Sequence, residues 1–211
     1  MLTEPSAIVI NRSVSDPLSF IGRCAGVSTA RSGQNDVRRA LSCIRAGHLS
    51  VLEHVSVTFM ISDVSRSLTH QLVRHRHASF VQLSQRYTKP DLDDVNWYVT
   101  PPEIDADPQL RKEFDEAIAT SAIVYKRLIA AGIKPEDARF VLPEATKTSI
   151  VVTMNLRELQ SFYELRTDPH AQWEIRSLAH AMRTSLMDVA EDGDEWQQVV
   201  SVLLPEGGES D

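Results

Sequence analysis

The chain has 211 residues, of which 42% are hydrophobic, and a formal net charge of −7. This composition indicates a folded protein with a sizeable core and excludes a disordered chain. The negative charge argues against a general nucleic-acid binder, and no apolar run approaches the length of a membrane span. We expect one domain over residues 1–211, in a cytoplasmic protein without a signal peptide.

Apolar spacing in the N-terminal part predicts a strand, two helices, a strand and a further helix. These elements cover residues 7–10, 18–29, 35–47, 54–61 and 65–74. The second helix ends at Gly47, and residues 54–61 alternate as in a half-buried strand. Cys24 and Cys43 fall inside helical segments and form no spaced motif, so we expect both to be reduced and buried.

The remaining chain predicts long helices around one more strand. Residues 88–106 form an irregular connection, 109–131 a long helix, 149–154 a strand and 156–166 a helix. A last helix begins with Asp168 as N-cap and Pro169 as first residue, and an acidic tail, 205–211, is frayed. The expected core positions of the two long helices are Leu110, Phe114, Ile118, Ala122, Tyr125 and Ile129, then Ile175, Leu178, Ala179, Met182, Leu186 and Val189. The fold class is α/β of the α+β type, with a small mixed or antiparallel sheet.

Positive charge is concentrated between Asp63 and Asp91, where the sequence has no acidic residue. The basic side chains there are Arg66, His70, Arg74, His75, Arg76, His77, Arg86 and Lys89. Acids from elsewhere in the fold would pair with these cations, or an anionic small molecule would bind among them. A solvated helix end and nucleic-acid contact, with Phe80 and Tyr87 stacking on bases, are further alternatives. The histidines lack a neighbouring cysteine or carboxylate, so no metal site is predicted.

The chemistry of this segment suits a phosphorylated, planar ligand. Gln71 and Arg74 are three residues apart at the end of a helix and share a face. Arginine forks bind phosphate or a carbonyl edge, and Ser84 and Arg86 follow on a loop bounded by Phe80 and Tyr87.

Residues 74–87, RHRHASFVQLSQRY, resemble the signature of the flavin-dependent thymidylate synthases. In that signature Arg-His-Arg is followed after seven residues by Ser, and by Arg two positions later, as at Ser84 and Arg86. The resemblance extends to residues 48–54, 138–143, 155–157, 165–166 and 170–175, and covers roughly residues 35–190.

The resemblance implies an α/β fold and a homotetramer with sites shared between subunits. It also implies that the protein converts dUMP to dTMP. Reduced FAD passes a hydride to dUMP after methylene transfer from methylenetetrahydrofolate, and NADPH reduces the flavin. The products are dTMP and tetrahydrofolate. Nucleic acid and membrane are not expected partners.

Site residues are carried over from the family by position. The dUMP site corresponds to Gln71, Arg74, Gln82, Ser84, Gln85, Arg86, Arg139 and Arg166. The FAD site corresponds to Ser50, Arg74, His75, Arg76, Gln82, Asn155, Arg157 and Ser161, with His48 and His170 as weaker candidates. The chain departs from the family at Gln82, where Glu is common, and at Ser161, where Asn or His is expected.

Arg166 is the predicted catalytic residue. It lies beside the apolar face of Leu156, Leu159 and Tyr163 and therefore points inward. The resemblance implies that it stabilises the N3-deprotonated form of uracil, which makes C5 more nucleophilic. The alternative is an internal salt bridge to Glu164 or Asp168.

Other functions and roles stay open at this level. Asn155 followed by Glu158 is close to a capping box, so its side chain would cap a helix as well as contact flavin. Ser84 is assigned to substrate binding and not to covalent attack, because no Ser–His–acid arrangement is evident. An RNA-binding module that uses the basic segment, and a paralogue that keeps the fold and FAD without turnover, are the competing functions.

Overall fold

The fold is built on a four-stranded antiparallel sheet. The computed structural model describes residues 4–28, 35–190 and 194–206. Within these residues the strands are β1 (Ser6–Arg12), β2 (Ser56–Ser65), β3 (Ala78–Gln82) and β4 (Lys147–Asn155). They lie in the order β1-β2-β4-β3, and each neighbouring pair is antiparallel. The predicted α+β arrangement with a small sheet is confirmed.

The two faces of the sheet differ because side chains alternate along each strand. On β2, Val57, Phe59 and Ile61 are fully buried, as their alternation predicts. Phe59 lies opposite Val152 of β4, so both strands turn an apolar face toward the same core. On the opposite face Met60 is 38% exposed.

Strand β3 corrects the expectation of a loop that starts at Phe80. It is a five-residue edge strand that pairs with β4, with Phe80 opposite Val152 and Val81 opposite Val151. Ser79 and Gln82 interrupt its apolar character, so its sequence carries little strand signal of its own. Pairing with β4, which is about 70 positions away in the chain, therefore decides its conformation.

Helices surround the sheet. They are α1 (Pro17–Val27), α2 (Asp36–Arg45), α3 (Arg66–Leu72), α4 (Pro102–Asp105), α5 (Pro108–Ala130), α6 (Pro135–Ala138), α7 (Leu156–Arg166), α8 (Trp173–Asp188) and α9 (Glu195–Leu203). Two 3-10 helices, Leu49–His54 and Arg139–Val141, complete the set among the described residues. One hydrophobic cluster joins the inner sheet face to α1, α7, α8 and α9.

The long helix α5 confirms the predicted element and only part of its predicted core. Ile118, Ala122 and Tyr125 are buried. Phe114 and Ile129 are half-buried, and Leu110 in the first turn is 49% exposed. The expectation that Leu110 is a core residue is therefore wrong. Leu110 lies two turns before Ile118, where the buried part of α5 begins.

The helix expected to begin at Asp168 begins at Trp173. Gln172 is its N-cap, since its side-chain oxygen accepts hydrogen bonds from two backbone N–H groups of the first turn, at 2.9 and 3.1 Å. Asp168 instead accepts from the backbone N–H of His170 at 2.8 Å and closes a turn. The assignment of Asp168 as N-cap and Pro169 as first residue is therefore wrong. The predicted core stripe of this helix, Ile175, Leu178, Ala179, Met182 and Leu186, is buried, and Val189 is half-buried.

Helix α9 is absent from the sequence prediction. Asp194 caps it by accepting from the backbone N–H of Trp196 at 3.0 Å. Trp196 is fully buried and donates its ring N–H to the Val14 carbonyl at 3.1 Å. The spacing of Trp196, Val199, Val200 and Leu203 is the signal that would have predicted it. Of the predicted frayed tail, residues 207–211 lie outside the described residues.

Three glycines occupy positions where another residue would clash or be strained. A Cβ on Gly22 would lie 2.0 Å from the Asp36 carbonyl oxygen, so the contact between α1 and α2 requires glycine there. Gly47 and Gly132 have φ of 75° and 86°, the left-handed region that glycine adopts without strain, and each follows a helix as predicted.

Cys24 and Cys43 are free thiols, and both are half-buried instead of buried as expected. Cys24 lies on α1 and Cys43 on α2, the helix pair next to the core, and part of each side chain is accessible to solvent. None of the helices in the described part of the chain has the length and apolar character needed to cross a membrane.

Candidate active site

The Arg-His-Arg segment follows directly from the end of α3. Ser65 caps this helix by accepting from the Leu68 backbone N–H at 2.9 Å. After α3 the chain turns, and the backbone N–H of Arg74 donates to the Gln71 carbonyl at 3.2 Å. Arg74 and Arg76 are exposed, and among the described residues neither forms an ion pair or a side-chain hydrogen bond. Both guanidinium groups are therefore accessible to an anionic ligand.

His75 joins this segment to α7. Its Nε2 lies 2.8 Å from Glu158 Oε2, and its side chain is only 10% exposed. Its ring meets Phe162 edge-on at 5.7 Å between centroids. The imidazole is therefore held against α7, so that its flanking arginines are placed next to this helix.

Asn155 is the N-cap of α7, as its sequence pattern predicts. Its Oδ1 accepts from the Glu158 backbone N–H at 2.9 Å. The Glu158 carboxylate pairs with His75, so only one half of the capping box is formed. In the first turn of α7, Arg157 Nη1 donates to Gln160 Oε1 at 3.2 Å, and Ser161 in the next turn is half-buried.

Gln82 is held between α3 and β4. Its Nε2 donates to Thr69 Oγ1 at 3.0 Å and to Thr148 Oγ1 at 3.3 Å. Both threonines are buried. Because Thr69 Oγ1 donates its own proton to the Arg66 carbonyl at 2.8 Å, it can only accept from Gln82. An amide nitrogen therefore suits this position.

Four predicted nucleotide residues lie in a second cluster. Ser84 Oγ accepts from the Arg86 backbone N–H at 3.2 Å. Arg86 pairs with Glu136, with Nε and Nη2 at 3.1 and 3.0 Å from Oε2. Arg139 Nε donates to the Glu136 carbonyl at 3.2 Å. Gln85 lines an adjacent cavity of about 340 Å³. The expectation that acids elsewhere pair with the basic segment thus holds for Arg86.

Arg166 lies in the last turn of α7 and lines a cavity of about 570 Å³ with Ser161, Glu164, Asp168 and His170. Its Nε is buried and has no hydrogen-bond partner in the described part of the chain. Burial lowers the pKa of Arg166 from its usual value. The alternative of an internal salt bridge to Glu164 or Asp168 is wrong, because within the described residues neither lies within ion-pair distance of it.

The weaker candidates lie at the edges of this region. Ser50 is exposed on the 3-10 helix Leu49–His54, which packs against α7, and His48 precedes that helix. His170 is exposed, with Nδ1 at 3.0 Å from Asp168 Oδ1. The hydrogen bond from the His170 backbone N–H, together with that from the His170 ring, holds the pKa of Asp168 below its usual value.

The predicted residues thus form two groups in one chain. One comprises the Arg-His-Arg segment, Gln82 and α7 with Arg166. The other comprises Ser84, Gln85, Arg86 and Arg139. Within residues 4–28, 35–190 and 194–206, no hydrogen bond or ion pair joins Arg166 to the second group. A larger cavity, of about 740 Å³, lies between β1 and α8 and contains none of the predicted residues.

Two residues with site roles are absent from the predicted set. Arg66 begins α3, and its buried Nη1 has no hydrogen-bond partner within the described ranges. Glu174 is 2% exposed, and its two carboxylate oxygens accept from the Ser65 backbone N–H and hydroxyl, both at 2.6 Å. Glu174 of α8 is therefore hydrogen-bonded to Ser65, the N-cap residue of α3, and α3 carries Gln71. Arg66 stands in the segment between Asp63 and Asp91 that has no acidic residue, so its sequence position could have indicated it. No local sequence pattern predicts that Glu174 contacts Ser65.

Comparisons with known proteins agree with the family resemblance. The model of the family described as thymidylate synthase complementing protein matches residues 12–191. The flavin-dependent thymidylate synthase of Geobacter sulfurreducens is 39% identical over 213 residues, which cover 95% of this chain and 91% of that protein. The protein of the same name from Pyrococcus furiosus is 46% identical over 167 residues, covering 78% of this chain and 68% of that protein.

Solved structures share the fold. A flavin-dependent thymidylate synthase from Helicobacter pylori, complexed with FAD and dUMP, has a TM-score of 0.76 and 24% identity and covers 94% of this chain and 99% of its own. The UMP/dUMP methylase PolB from Streptomyces cacaoi, bound with 5-Br dUMP, has a TM-score of 0.77 and 24% identity, with 98% of each chain covered. The match over residues 12–191 and the 39% identity with the Geobacter sulfurreducens protein place the chain in the thymidylate synthase complementing protein family, that of the flavin-dependent thymidylate synthases.

Proposed function

We propose that this chain is an FAD-dependent thymidylate synthase, which converts dUMP to dTMP. Methylenetetrahydrofolate supplies the carbon, NADPH reduces the flavin, and tetrahydrofolate is released. Family membership and the relative that covers 95% of this chain support the proposal. The structural observation that carries it is Arg166, whose buried Nε has no hydrogen-bond partner among the described residues and whose side chain lines a cavity.

Arg166 suits the chemistry of the uracil ring. A buried guanidinium donor without a partner costs free energy until a ligand supplies an acceptor. The uracil carbonyls are acceptors, and loss of the N3 proton makes the ring an anion. A cation in a water-poor site favours that anion and so increases the electron density at C5. We therefore assign Arg166 the catalytic role.

The group around the Arg-His-Arg segment fits FAD. Arg74 and Arg76 present exposed forks that have no carboxylate partner among the residues the structure describes, and such forks suit a pyrophosphate. His75 contacts α7, with its Nε2 2.8 Å from Glu158 Oε2 and its ring edge-on to Phe162, and so places the two arginines beside that helix. When bound, FAD supplies the hydride. The other residues that we assign to FAD are Ser50, Gln82, Asn155, Arg157 and Ser161.

The nucleotide is assigned to residues of both groups. The residues that we assign to dUMP are Gln71, Arg74, Gln82, Ser84, Gln85, Arg86, Arg139 and Arg166. Arg86 pairs with Glu136, and both side chains are at least one third exposed. Such exposed pairs contribute about 1 kcal/mol or less, so a phosphate dianion would displace the carboxylate readily.

We further propose a homotetramer whose sites are shared between subunits. Two observations support it. Among the described residues Arg166 has no hydrogen bond or ion pair to Ser84, Gln85, Arg86 or Arg139, and an apolar row crosses the outer face of the sheet. In strand order this row is Ile8, Met60, Val151 and Val81, with Ile8 56% and Val81 73% exposed. Apolar surface of this kind is typical of an interface.

Assembly is tested by Val81→Asp, with Val95→Asp as the control on an equally exposed loop position. Sedimentation should give a tetramer for the parent and the control, and a smaller species with reduced activity for Val81→Asp. A parent protein that is a stable, active monomer would refute shared sites.

We infer a cytoplasmic location and one domain over residues 1–211. The free thiols of Cys24 and Cys43 support a reducing compartment. A core that contains residues from Leu18 to Leu204 supports one domain.

The function is tested by dTMP formation from dUMP, methylenetetrahydrofolate and NADPH with added FAD. Arg74→Ala should weaken the binding of both FAD and dUMP, because its guanidinium is assigned to both. Retained affinity for each would mean that Arg74 only faces solvent. A protein that ignores FAD and binds RNA with strong salt dependence would instead support the RNA-binding function.

A further inference from the structure

Glu174 is a buried carboxylate that has no part in the proposed reaction itself. It lies in the first turn of α8 and is 2% exposed. Its two oxygens accept from the backbone N–H and from the hydroxyl of Ser65, both at 2.6 Å. Within the described ranges no lysine, arginine or histidine lies within 4 Å of this carboxylate. Burying a carboxylate without a cation costs free energy, and the two hydrogen bonds to Ser65 offset part of that cost.

Ser65 is the junction between β2 and α3. It is the last residue of β2 and the N-cap of α3, and it is 3% exposed. A hydroxyl has one proton, which Ser65 donates to Glu174, so the hydroxyl oxygen is left to accept from the Leu68 backbone N–H at 2.9 Å. Glu174 therefore fixes both the orientation of this hydroxyl and the backbone at the point where α3 begins.

Helix α3 has only seven residues, and helices this short are marginal without tertiary contacts. Its inner face packs in the hydrophobic cluster, and the contact between Ser65 and Glu174 fixes its first turn. The helix carries Gln71, and the backbone N–H of Arg74 donates to the Gln71 carbonyl at 3.2 Å. A shift at the start of α3 would therefore displace Gln71.

The segment that follows α3 has an anchor of its own. His75 contacts α7, with its Nε2 2.8 Å from Glu158 Oε2 and its ring edge-on to Phe162. Neither contact involves α8. A shift of α3 should therefore move Gln71 more than it moves the Arg-His-Arg segment.

We propose that Glu174 is a positioning residue for dUMP, which holds Ser65 and so sets α3 where Gln71 reaches the nucleotide. This inference rests on the proposed function, which assigns Gln71 to dUMP. Glu174 itself makes no contact with the ligand and acts through Ser65. Loss of its carboxylate should therefore weaken dUMP binding, while FAD, assigned to the separately anchored segment, should bind as in the parent.

The test compares Glu174→Ala, Glu174→Gln and Ser65→Ala by KM and kcat with FAD-saturated protein, and by the Kd for FAD from titration of the FAD-free protein. KM for dUMP should rise roughly 10-fold in Glu174→Ala, which corresponds to the loss of about 1.4 kcal/mol, one hydrogen bond. The value of kcat should change little, because Arg166 lies on α7. Ser65→Ala should also raise KM. Glu174→Gln keeps one acceptor for Ser65 and should show a smaller rise than Glu174→Ala.

Leu203→Ala is the control for lost stability. Leu203 is 2% exposed on α9, which carries none of the assigned site residues, and its truncation leaves a cavity in the core. This variant should keep the parent KM for dUMP. Because Glu174 acts through Ser65, the double variant Glu174→Ala/Ser65→Ala should have the KM of its more affected single variant.

Four outcomes would overturn the positioning role in an active parent. They are an equal rise of KM in Glu174→Ala and Leu203→Ala, equal losses of FAD and dUMP affinity in Glu174→Ala, and additive effects in the double variant. Should Glu174→Ala fail to fold, parent-like KM in both Glu174→Gln and Ser65→Ala is the fourth. A parent that binds neither FAD nor dUMP would instead overturn the proposed function, and this inference with it.

Discussion

Replacing Arg166 by methionine should change stability and activity in opposite directions. The buried Nε has no hydrogen-bond partner in the part of the chain that the structure describes, and an unsatisfied buried donor costs about 1–3 kcal/mol. Because the residue is only half-buried, solvent screening reduces this cost, and we expect Arg166→Met to raise the free energy of unfolding by about 1 kcal/mol. Methionine is unbranched and retains helix propensity at this position.

The assay is urea unfolding without ligands, followed by turnover with dUMP. Arg176→Met is the matched control, because Arg176 Nη1 already donates to the Pro169 carbonyl at 2.9 Å. The control should lose up to about 1 kcal/mol and keep dTMP formation. Arg166→Met should be more stable than the parent and form no dTMP. A less stable Arg166→Met would refute an unpaired guanidinium, and retained turnover would refute its catalytic role.

Three further changes test the fold around the site. Gly22→Ala should destabilise the protein by about 3 kcal/mol or more in urea, because the new Cβ would meet the Asp36 carbonyl; an unchanged midpoint would refute the close approach. Glu174→Ala should cost about 3 kcal/mol, because the two buried donors of Ser65 lose their acceptor, and parent-like stability would contradict that contact. Burial raises the pKa of Glu174, so its contribution to stability should fall as pH rises from the unfolded-state pKa through the raised one. Glu174→Gln should remove this part of the pH dependence, and an identical pH profile would refute the assignment.

The predictable parts of the fold are those that local sequence determines. Helix α7 runs from Leu156 to Arg166 as predicted, because an N-cap asparagine precedes its regular apolar spacing. Strand β2 follows from its alternation. Strand β3 depends on pairing with β4, and the start of α8 depends on whether Gln172 or Asp168 caps it. Neither the pairing nor the choice of cap is visible in local spacing.

The same distinction holds for the site. The acid-free segment predicts that Arg74 and Arg76 are available to an anion, and their side chains are exposed and unpaired among the described residues. The pairing of Arg86 with Glu136, 50 positions away, could not be predicted from spacing. The missing partner of Arg66 is likewise a property of the folded chain, since local sequence does not show which acids stay out of reach.

The measurement that tests the central claim most directly is the visible absorption spectrum of the purified protein with added FAD. The proposed function predicts the spectrum of bound oxidised flavin, which bleaches on anaerobic addition of NADPH and changes when dUMP binds. Arg166→Met should keep the flavin spectrum and its bleaching while dTMP formation is lost. A protein that binds no FAD, or whose flavin is neither reduced by NADPH nor affected by dUMP, would contradict the proposal.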